Sequence, residues 1–477
     1  MSARKIAYNV VFSSVAKVLS TALALVAIGF ITRYLGAEGF GEYSTVVAFL
    51  SFFAAILDLG LYSISTREIS RKEEETEKII GNILSLRVVS SLVAFLIVPF
   101  VFLLFPYPME VKRGIAIIAA SFFFSSTYQV LNGVFQRSLA MDKVAMSELI
   151  GKVVQVAIVV LAVKLNLGFN WIILSILFNM LASLILVFVW SRRYIQLRLR
   201  ADFAYWKEFL RESFPMGAVA IITFLYYRLD TILLSIMRPS ADVGIYNAAF
   251  KIIDNVSFFP GMFMGLIMPI MAKNFFAEKE KFRRVSDKTF KVFTIMIVPL
   301  IVGTIFLAGD IIRLIGGAGF GEAANVLRIL IFALAFIFFG NFFNSIMVAG
   351  NLQKKLMYIL GLAAIVNITL NLIFIPKFSY MAASFNSVIT EFLVAILTFW
   401  VVAKKADYFP KVKKLSGILF SGFMMAAVLF FFRGANFFIL FFGSSAIYLL
   451  FLWLIRAVEV DEIKSLISKE NQNGKVS

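Results

Sequence analysis

Seven ionisable side chains lie well inside long apolar runs of this 477-residue chain: Lys17, Asp58, Arg228, Asp230, Lys251, Asp254 and Glu391. A charge at bilayer depth costs roughly 2.5–3.5 kcal/mol on insertion scales, so such groups face a hydrated cavity or a partner. Lys17, Arg228 and Lys251 can make charge-assisted hydrogen bonds to an anion, Arg228 in bidentate fashion. Asp58, Asp230, Asp254 and Glu391 can pair with these bases. They can also couple the protein to an ion, because desolvation favours proton exchange and hard carboxylate oxygens suit sodium. Helical spacing lines up polar stripes on otherwise apolar segments: Ser13, Lys17, Ser20 and Thr21; Asn247, Lys251, Asp254, Asn255 and Phe258; and Ser384, Ser387 and Glu391. Lys251 and Asp254, three residues apart, can instead neutralise one another, whereas Arg228 and Asp230 point in different directions. Excluding Glu391, the bases and acids sum to zero, although an anion site should be net positive.

The elements that must position these groups are membrane spans. Hydrophobic residues make up 61% of the chain and the mean hydropathy is +0.91. With about 20 apolar residues needed per crossing, fourteen candidate spans follow: 8–30, 43–65, 83–105, 114–136, 149–165, 171–190, 214–236, 248–271, 292–308, 328–348, 358–375, 381–402, 415–431 and 438–455. The alternation of a membrane β-barrel is missing, so the expectation is an all-α membrane protein. Ala22-Leu23-Ala24 imitates a signal-cleavage site, but the apolar run continues past it and predicts an uncleaved first helix.

The net charge of +18 follows topology rather than nucleic acid. About 33 of the 46 Lys and Arg fall on the side that carries both termini, against about eight on the other. The positive-inside rule therefore places both termini in the cytoplasm of a plasma-membrane protein. The chain has no Cys and no His, which removes disulfides, thiol nucleophiles and the commonest general base and zinc ligand. An enzyme, and in particular a metalloenzyme, is not expected.

Three short similarities recur in the same order. Gly41-Glu42-Tyr43 returns as Gly244-Ile245-Tyr246, an offset of 203; Ile97-Val98-Pro99 as Ile297-Val298-Pro299, an offset of 200; and Asn132-Gly133 as Asn344-Ser345, an offset of 212. Repeats matter in transporters because sites form where they meet. The duplication predicts an N-terminal lobe at 1–190, an interlobe linker at 191–213, a C-terminal lobe at 214–402, and two further helices with a cytoplasmic tail at 403–477. The linker carries Tyr205, Trp206 and Phe209 among its charges, which suits either an interfacial amphipathic helix or a plain connection. Pro260-Gly261 interrupts the eighth span, and Pro260 is expected to act as a hinge or a fixed kink.

The stretch Thr32-Arg33-Tyr34-Leu35-Gly36-Ala37-Glu38-Gly39-Phe40-Gly41-Glu42-Tyr43, followed by Asp58-Leu59-Gly60-Leu61 and Arg67, resembles the opening of the Wzx-type polysaccharide flippases. These belong to the multidrug/oligosaccharidyl-lipid/polysaccharide exporter superfamily. Arg228-Leu229-Asp230, Val243 to Ile252, Pro269 and Phe320 to Leu327 also fit. One departure is that no glycine follows Pro376 in Pro376-Lys377-Phe378-Ser379-Tyr380-Met381, where that family commonly has one.

The resemblance implies two pseudo-symmetric six-helix lobes around a central cavity, plus two extra C-terminal helices, working by alternating access. The cargo would be a saccharide on polyprenyl phosphate or pyrophosphate, moved from the cytoplasmic to the outer leaflet for cell-surface glycan synthesis. Lys17, Arg228, Lys251, Asn247 and Asn255 would then bind the headgroup in the cavity, with Pro260 and Gly261 at a hinge. No cofactor is expected beyond a possible coupling ion, Na+ or H+. Expected partners are the lipid-linked saccharide, membrane lipids and glycan-assembly enzymes, with no nucleic acid. The alternatives are an ion-coupled multidrug exporter of the same superfamily, or a membrane polysaccharide polymerase or ligase. The latter needs a catalytic outer loop, and 309–327 offers no evident acid/base pair.

Overall fold

A computed structural model describes residues 3–71 and 76–457. The far end of the expected cytoplasmic tail, 458–477, lies outside the described residues. Fifteen α-helices account for nearly all of the described chain: α1 (Ala3–Asp58), α2 (Leu61–Arg71), α3 (Thr76–Leu103), α4 (Met109–Ala119), α5 (Ser121–Arg137), α6 (Met141–Lys164), α7 (Phe169–Ser191), α8 (Phe203–Met237), α9 (Ser240–Val256), α10 (Phe258–Ala277), α11 (Lys279–Gly316), α12 (Ala323–Ala349), α13 (Gln353–Lys405), α14 (Leu415–Phe431) and α15 (Phe437–Leu454). No strand occurs among the described residues.

Two helices are too long to cross once. The 56 residues of α1 would stretch about 84 Å if straight, against a hydrocarbon core of about 30 Å. α1 breaks at Gly36 (φ 68°, ψ −174°), and the 53-residue α13 breaks at Ser379 (φ 52°, ψ −135°). Each therefore supplies two passes. Among the described residues eleven helical stretches are long and apolar enough to span, two of them double, and the shorter α14 completes the fourteen passes expected from the sequence. Ser379 adopts the left-handed backbone near the point where the resembling family has glycine, and its hydroxyl donates to Asp242. That hydrogen bond offsets part of a strain of about 1–3 kcal/mol.

Contacts group the chain into two compact units: 1–248 with 314–320 and 372–380, and 249–313 with 321–371 and 381–477. In the first, α1 packs on α6 and α8, and α7 packs on α6 and α5. The expected linker is no free connection. Residues 195–202 form neither helix nor strand, and α8 then continues from Phe203 through Pro215 into the seventh span. Ile195, Phe209 and the half-buried Tyr205 and Trp206 pack on a cluster from α2, α3 and α5. In the second unit α14 and α15 pack against α11, with the Tyr448 hydroxyl donating to the Ile295 carbonyl at 2.8 Å.

Within the first unit the sequence repeat becomes a physical contact. A Cβ added to Gly41 would fall 1.7 Å from the Ser240 carbonyl oxygen, and one added to Gly244 would fall 1.9 Å from the Ala37 carbonyl oxygen. Both pairs obey the same offset of 203, so α1 and α9 meet reciprocally, backbone against backbone. Only glycine permits that approach. Gly41→Val and Gly244→Val should each lower stability by about 1–3 kcal/mol, whereas Gly443→Ala, where an added Cβ meets nothing within 4 Å, should not destabilise. Unfolding midpoints in detergent test this, and equal midpoints for all three variants would contradict it.

Candidate functional site

The site is built around the end of α1. Leu59 (φ 43°) and Gly60 (φ 75°) place two successive residues in the left-handed region, which stops α1 and starts α2. Gly60 also abuts α8, since a Cβ there would lie 2.5 Å from the Met216 Cβ. The bend leaves Asp58 at the head of α2, where its Oδ1 accepts the Tyr62 N–H at 3.4 Å. Arg87 of α3 donates through Nη2 to the same oxygen. Its side chain is 1% exposed and that of Asp58 20%, so this is a largely buried ion pair. Arg87 was not among the buried charges recognised in the sequence, because it sits near the end of its apolar run.

Beside this pair lies a cavity of about 720 Å³ inside the first unit. Lys17, Ser20 and Asp58 of α1 line it, with Tyr128, Gln129 and Asn132 of α5, Glu148 and Lys152 of α6, and Asn179 and Ser183 of α7. The wall between α6 and α7 depends on Gly151: a Cβ there would stand 2.4 Å from Asn179 Oδ1 and 2.2 Å from Ser183 Oγ. The close approach lets Gln155 Oε1 accept from both Lys152 Nζ and Asn179 Nδ2, each at 3.0 Å. Ser183 donates to the Ser147 carbonyl at 3.1 Å, and the Tyr128 hydroxyl donates to Glu148 at 3.1 Å. Asn132 Oδ1 is buried with no hydrogen-bond partner among the described residues.

The lining itself balances, Lys17 and Lys152 against Asp58 and Glu148, and Arg87, outside the lining, adds one positive charge through its pair with Asp58. Both acids are engaged, Asp58 by Arg87 and Glu148 by Tyr128. Glu148 and Lys152 were not singled out in the sequence, whose candidate span at 149–165 starts between the two, after the true beginning of the helix. α6 begins at Met141, so the two lie one turn apart on a helix, and their spacing of four was the available signal.

Of the residues singled out in the sequence, Lys17 and Asp58 share this cavity. Arg228, Asp230 and Asn247 belong to the same compact unit without lining it. Asp230 is buried and accepts from the Tyr246 hydroxyl and the Thr231 N–H. Asn247 is buried too, donating to the Val243 carbonyl at 2.9 Å and accepting from Thr231. The Arg228 guanidinium lies 5.6 Å from the Tyr227 ring centre.

In the second unit Lys251 and Asp254 are half-buried on α9, and Asn255 donates to the Lys251 carbonyl at 2.7 Å. Glu391 is buried on α13. The eighth span breaks at Ser257, with Pro260 buried in the first turn of α10 and Gly261 exposed. Proline has no N–H for the Val256 carbonyl, which accounts for a break just ahead of it. A buried amide ladder in this unit was not read from the sequence: Asn386 donates to Asn371, Asn371 to Asn367, and Asn367 to Thr390, at 2.9, 2.9 and 3.1 Å.

A fourteen-pass α-helical chain with a charged, amide-rich cavity inside one helical unit has the architecture of a membrane transporter. Residues 6–275, more than half of the sequence, match the family described as "Polysaccharide biosynthesis protein", and the chain belongs to that family. Residues 215–373 match the family described as MatE.

The chain is 20% identical to the capsular polysaccharide biosynthesis protein CapF of Staphylococcus aureus, over 83% of this chain and 98% of CapF. It is 26% identical to the probable flippase AglR of Haloferax volcanii, over 43% of this chain and 44% of AglR. In fold it is similar to the lipid II flippase MurJ in an inward closed conformation, with a TM-score of 0.76 at 16% identity, covering 96% of this chain and all of that one. An inward-facing multidrug-resistance MATE transporter gives 0.67 at 14% identity, covering 83% and 98%.

Breaking a buried ion pair by removing one partner costs about 3–5 kcal/mol, because the other charge is left uncompensated. Arg87→Met should therefore destabilise the protein by about that amount, and Asp58→Asn with Arg87→Met should recover most of it. Unfolding followed by tryptophan fluorescence would show a double variant more stable than the single one; equal loss in both would contradict the pairing.

Proposed function

We propose that this transporter flips a saccharide carried on polyprenyl phosphate or pyrophosphate from the cytoplasmic to the outer leaflet of the plasma membrane, by alternating access, for cell-surface glycan synthesis. The observation that carries this reading is the polar cavity of the first unit, where Lys17 and Lys152 stand among Gln129, Asn132 and Asn179 and the wall acid Asp58 is paired with Arg87. Ammonium groups suit phosphate oxygens, and side-chain amides suit sugar hydroxyls, which both donate and accept. In this reading Arg228 and Lys251 also serve the anionic headgroup, Asn247 and Asn255 its hydroxyls, and Pro260 with Gly261 the bending of the eighth span. Asp230, Asp254 and Glu391 are the carboxylates on which coupling to Na+ or H+ would act. The termini are cytoplasmic by the bias of the basic segments. The relatives CapF and AglR, named for capsular polysaccharide biosynthesis and as a probable flippase, support the cargo class.

A second reading, a multidrug exporter, draws on the MatE match over 215–373. The cavity disfavours it, since a site for cationic drugs should carry an excess of acid.

Deleting the gene should make lipid-linked saccharide accumulate in the cytoplasmic leaflet and deplete surface glycan. Complementation with Lys17→Ala or Lys152→Ala should lower flux about 10–100-fold, the worth of one hydrogen bond to a charged group, without loss of membrane insertion. Normal glycan with altered drug sensitivity would favour the second reading, and full activity of both variants would remove the cationic cavity from the mechanism.

A further inference from the structure

A second opening in the first unit is unlike the polar cavity. It is an apolar groove of about 440 Å³, walled by Leu84 and Val88 of α3, Phe123 of α5, Ile185 and Phe188 of α7, and Leu199 of the segment before α8. Phe123 and Ile185 are 41% and 52% exposed, so the groove opens on a face that a bilayer would cover with lipid tails. Thr127 alone interrupts the apolar lining, and its hydroxyl has no hydrogen-bond partner among the described residues.

The rim of this groove is basic. Arg192, Arg193, Arg198 and Arg200 are all exposed, and they follow α7 or alternate with Leu197 and Leu199. The Arg192 guanidinium is 4.8 Å from the centre of the Phe188 ring, at the groove wall. The segment bearing the other arginines is pinned to the start of α3. Gln196 N–H donates to Glu77 at 3.1 Å, Arg200 N–H to the Gly81 carbonyl at 3.3 Å, and Asp202 N–H to Asn82 at 2.9 Å. Gly81 makes the contact possible, since a Cβ there would fall 2.2 Å from the Arg198 carbonyl oxygen. Among the described residues, Glu77 accepts from Gln196 and Asp202 from the N-terminal amides of α8 at 3.1 Å. The backbone that bears Arg198 and Arg200 is therefore held against α3, and Arg192 stands at the mouth of a slot for one hydrocarbon chain.

We infer that this groove is a binding site for a resident anionic phospholipid of the inner leaflet. One acyl chain would lie between α3, α5 and α7, and the phosphate would sit on Arg192 and Arg198. Guanidinium groups bind phosphate oxygens bidentately, and basic pockets at helix ends on the cytoplasmic side suit anionic headgroups. The apolar slot supplies what a free phosphate or a soluble polyanion could not use. The bound lipid would brace residues 192–202, the only covalent path from α7 to α8. It is a structural ligand distinct from transported cargo and does not depend on the flippase reading.

The test compares the purified full chain in mixed micelles with phosphatidylcholine alone or with added phosphatidylglycerol, read by native mass spectrometry and by melting temperature. The native chain should retain phosphatidylglycerol selectively and melt higher with it. Arg192→Gln with Arg198→Gln, both exposed side chains, should weaken that retention about tenfold. Ile185→Trp, which fills the slot but keeps the arginines, should do the same. Retention unchanged in the arginine variant would overturn the site. Loss in the arginine variant with full retention in Ile185→Trp would reduce it to surface attraction. Displacement of phosphatidylglycerol by equimolar polyprenyl phosphate would assign the groove to cargo instead.

Discussion

The cavity of the first unit depends on one ion pair. Asp58 lies at a break in the helical path, where it caps α2 and would, if unpaired, bring a negative charge to the cavity wall. Arg87 reaches it from α3 and neutralises it away from water. With that acid answered, the two lysines outnumber the one remaining acid of the wall, Glu148, which Tyr128 holds by a hydrogen bond. The backbone geometry at Leu59 and Gly60 places the carboxylate, so a turn motif and a charge balance are one design.

Much of this was legible in the sequence, for physical reasons that also mark the limits. Hydrophobic length alone yields fourteen passes, because the bilayer imposes a minimum run whatever the side chains are. Lys17 and Asp58 stood out because a charge inside such a run is costly. Arg87, Glu148 and Lys152 were missed because they lie near run ends, where a helical residue and a loop residue look alike until the helix start is known. Asn247 and Asp230 were legible as polar and buried, but their hydrogen bonds to Val243, Thr231 and Tyr246 depend on tertiary placement. The amide ladder from Asn367 to Thr390 left no charge to notice.

The repeat shows a different kind of legibility. Gly41-Glu42-Tyr43 and Gly244-Ile245-Tyr246 are short enough to arise by chance in a chain of this composition. Their meaning appears only when the two glycines prove to face carbonyls that are themselves related by the same offset. The two matching segments thus form a local reciprocal contact in which the missing side chain is the structural feature. The linker segment follows the same rule, since Gly81 admits the backbone of Arg198 and so holds residues 195–202 against α3.

Cations, not acids, are proposed to recognise the headgroup. The most direct measurement is equilibrium binding of a polyprenyl-pyrophosphoryl saccharide to the protein in nanodiscs, at low and high ionic strength, for the native chain and for Lys17→Ala. Recognition by cations predicts affinity that falls with salt and is about tenfold weaker in Lys17→Ala. Binding that ignores salt, or that is unchanged in Lys17→Ala, would contradict it.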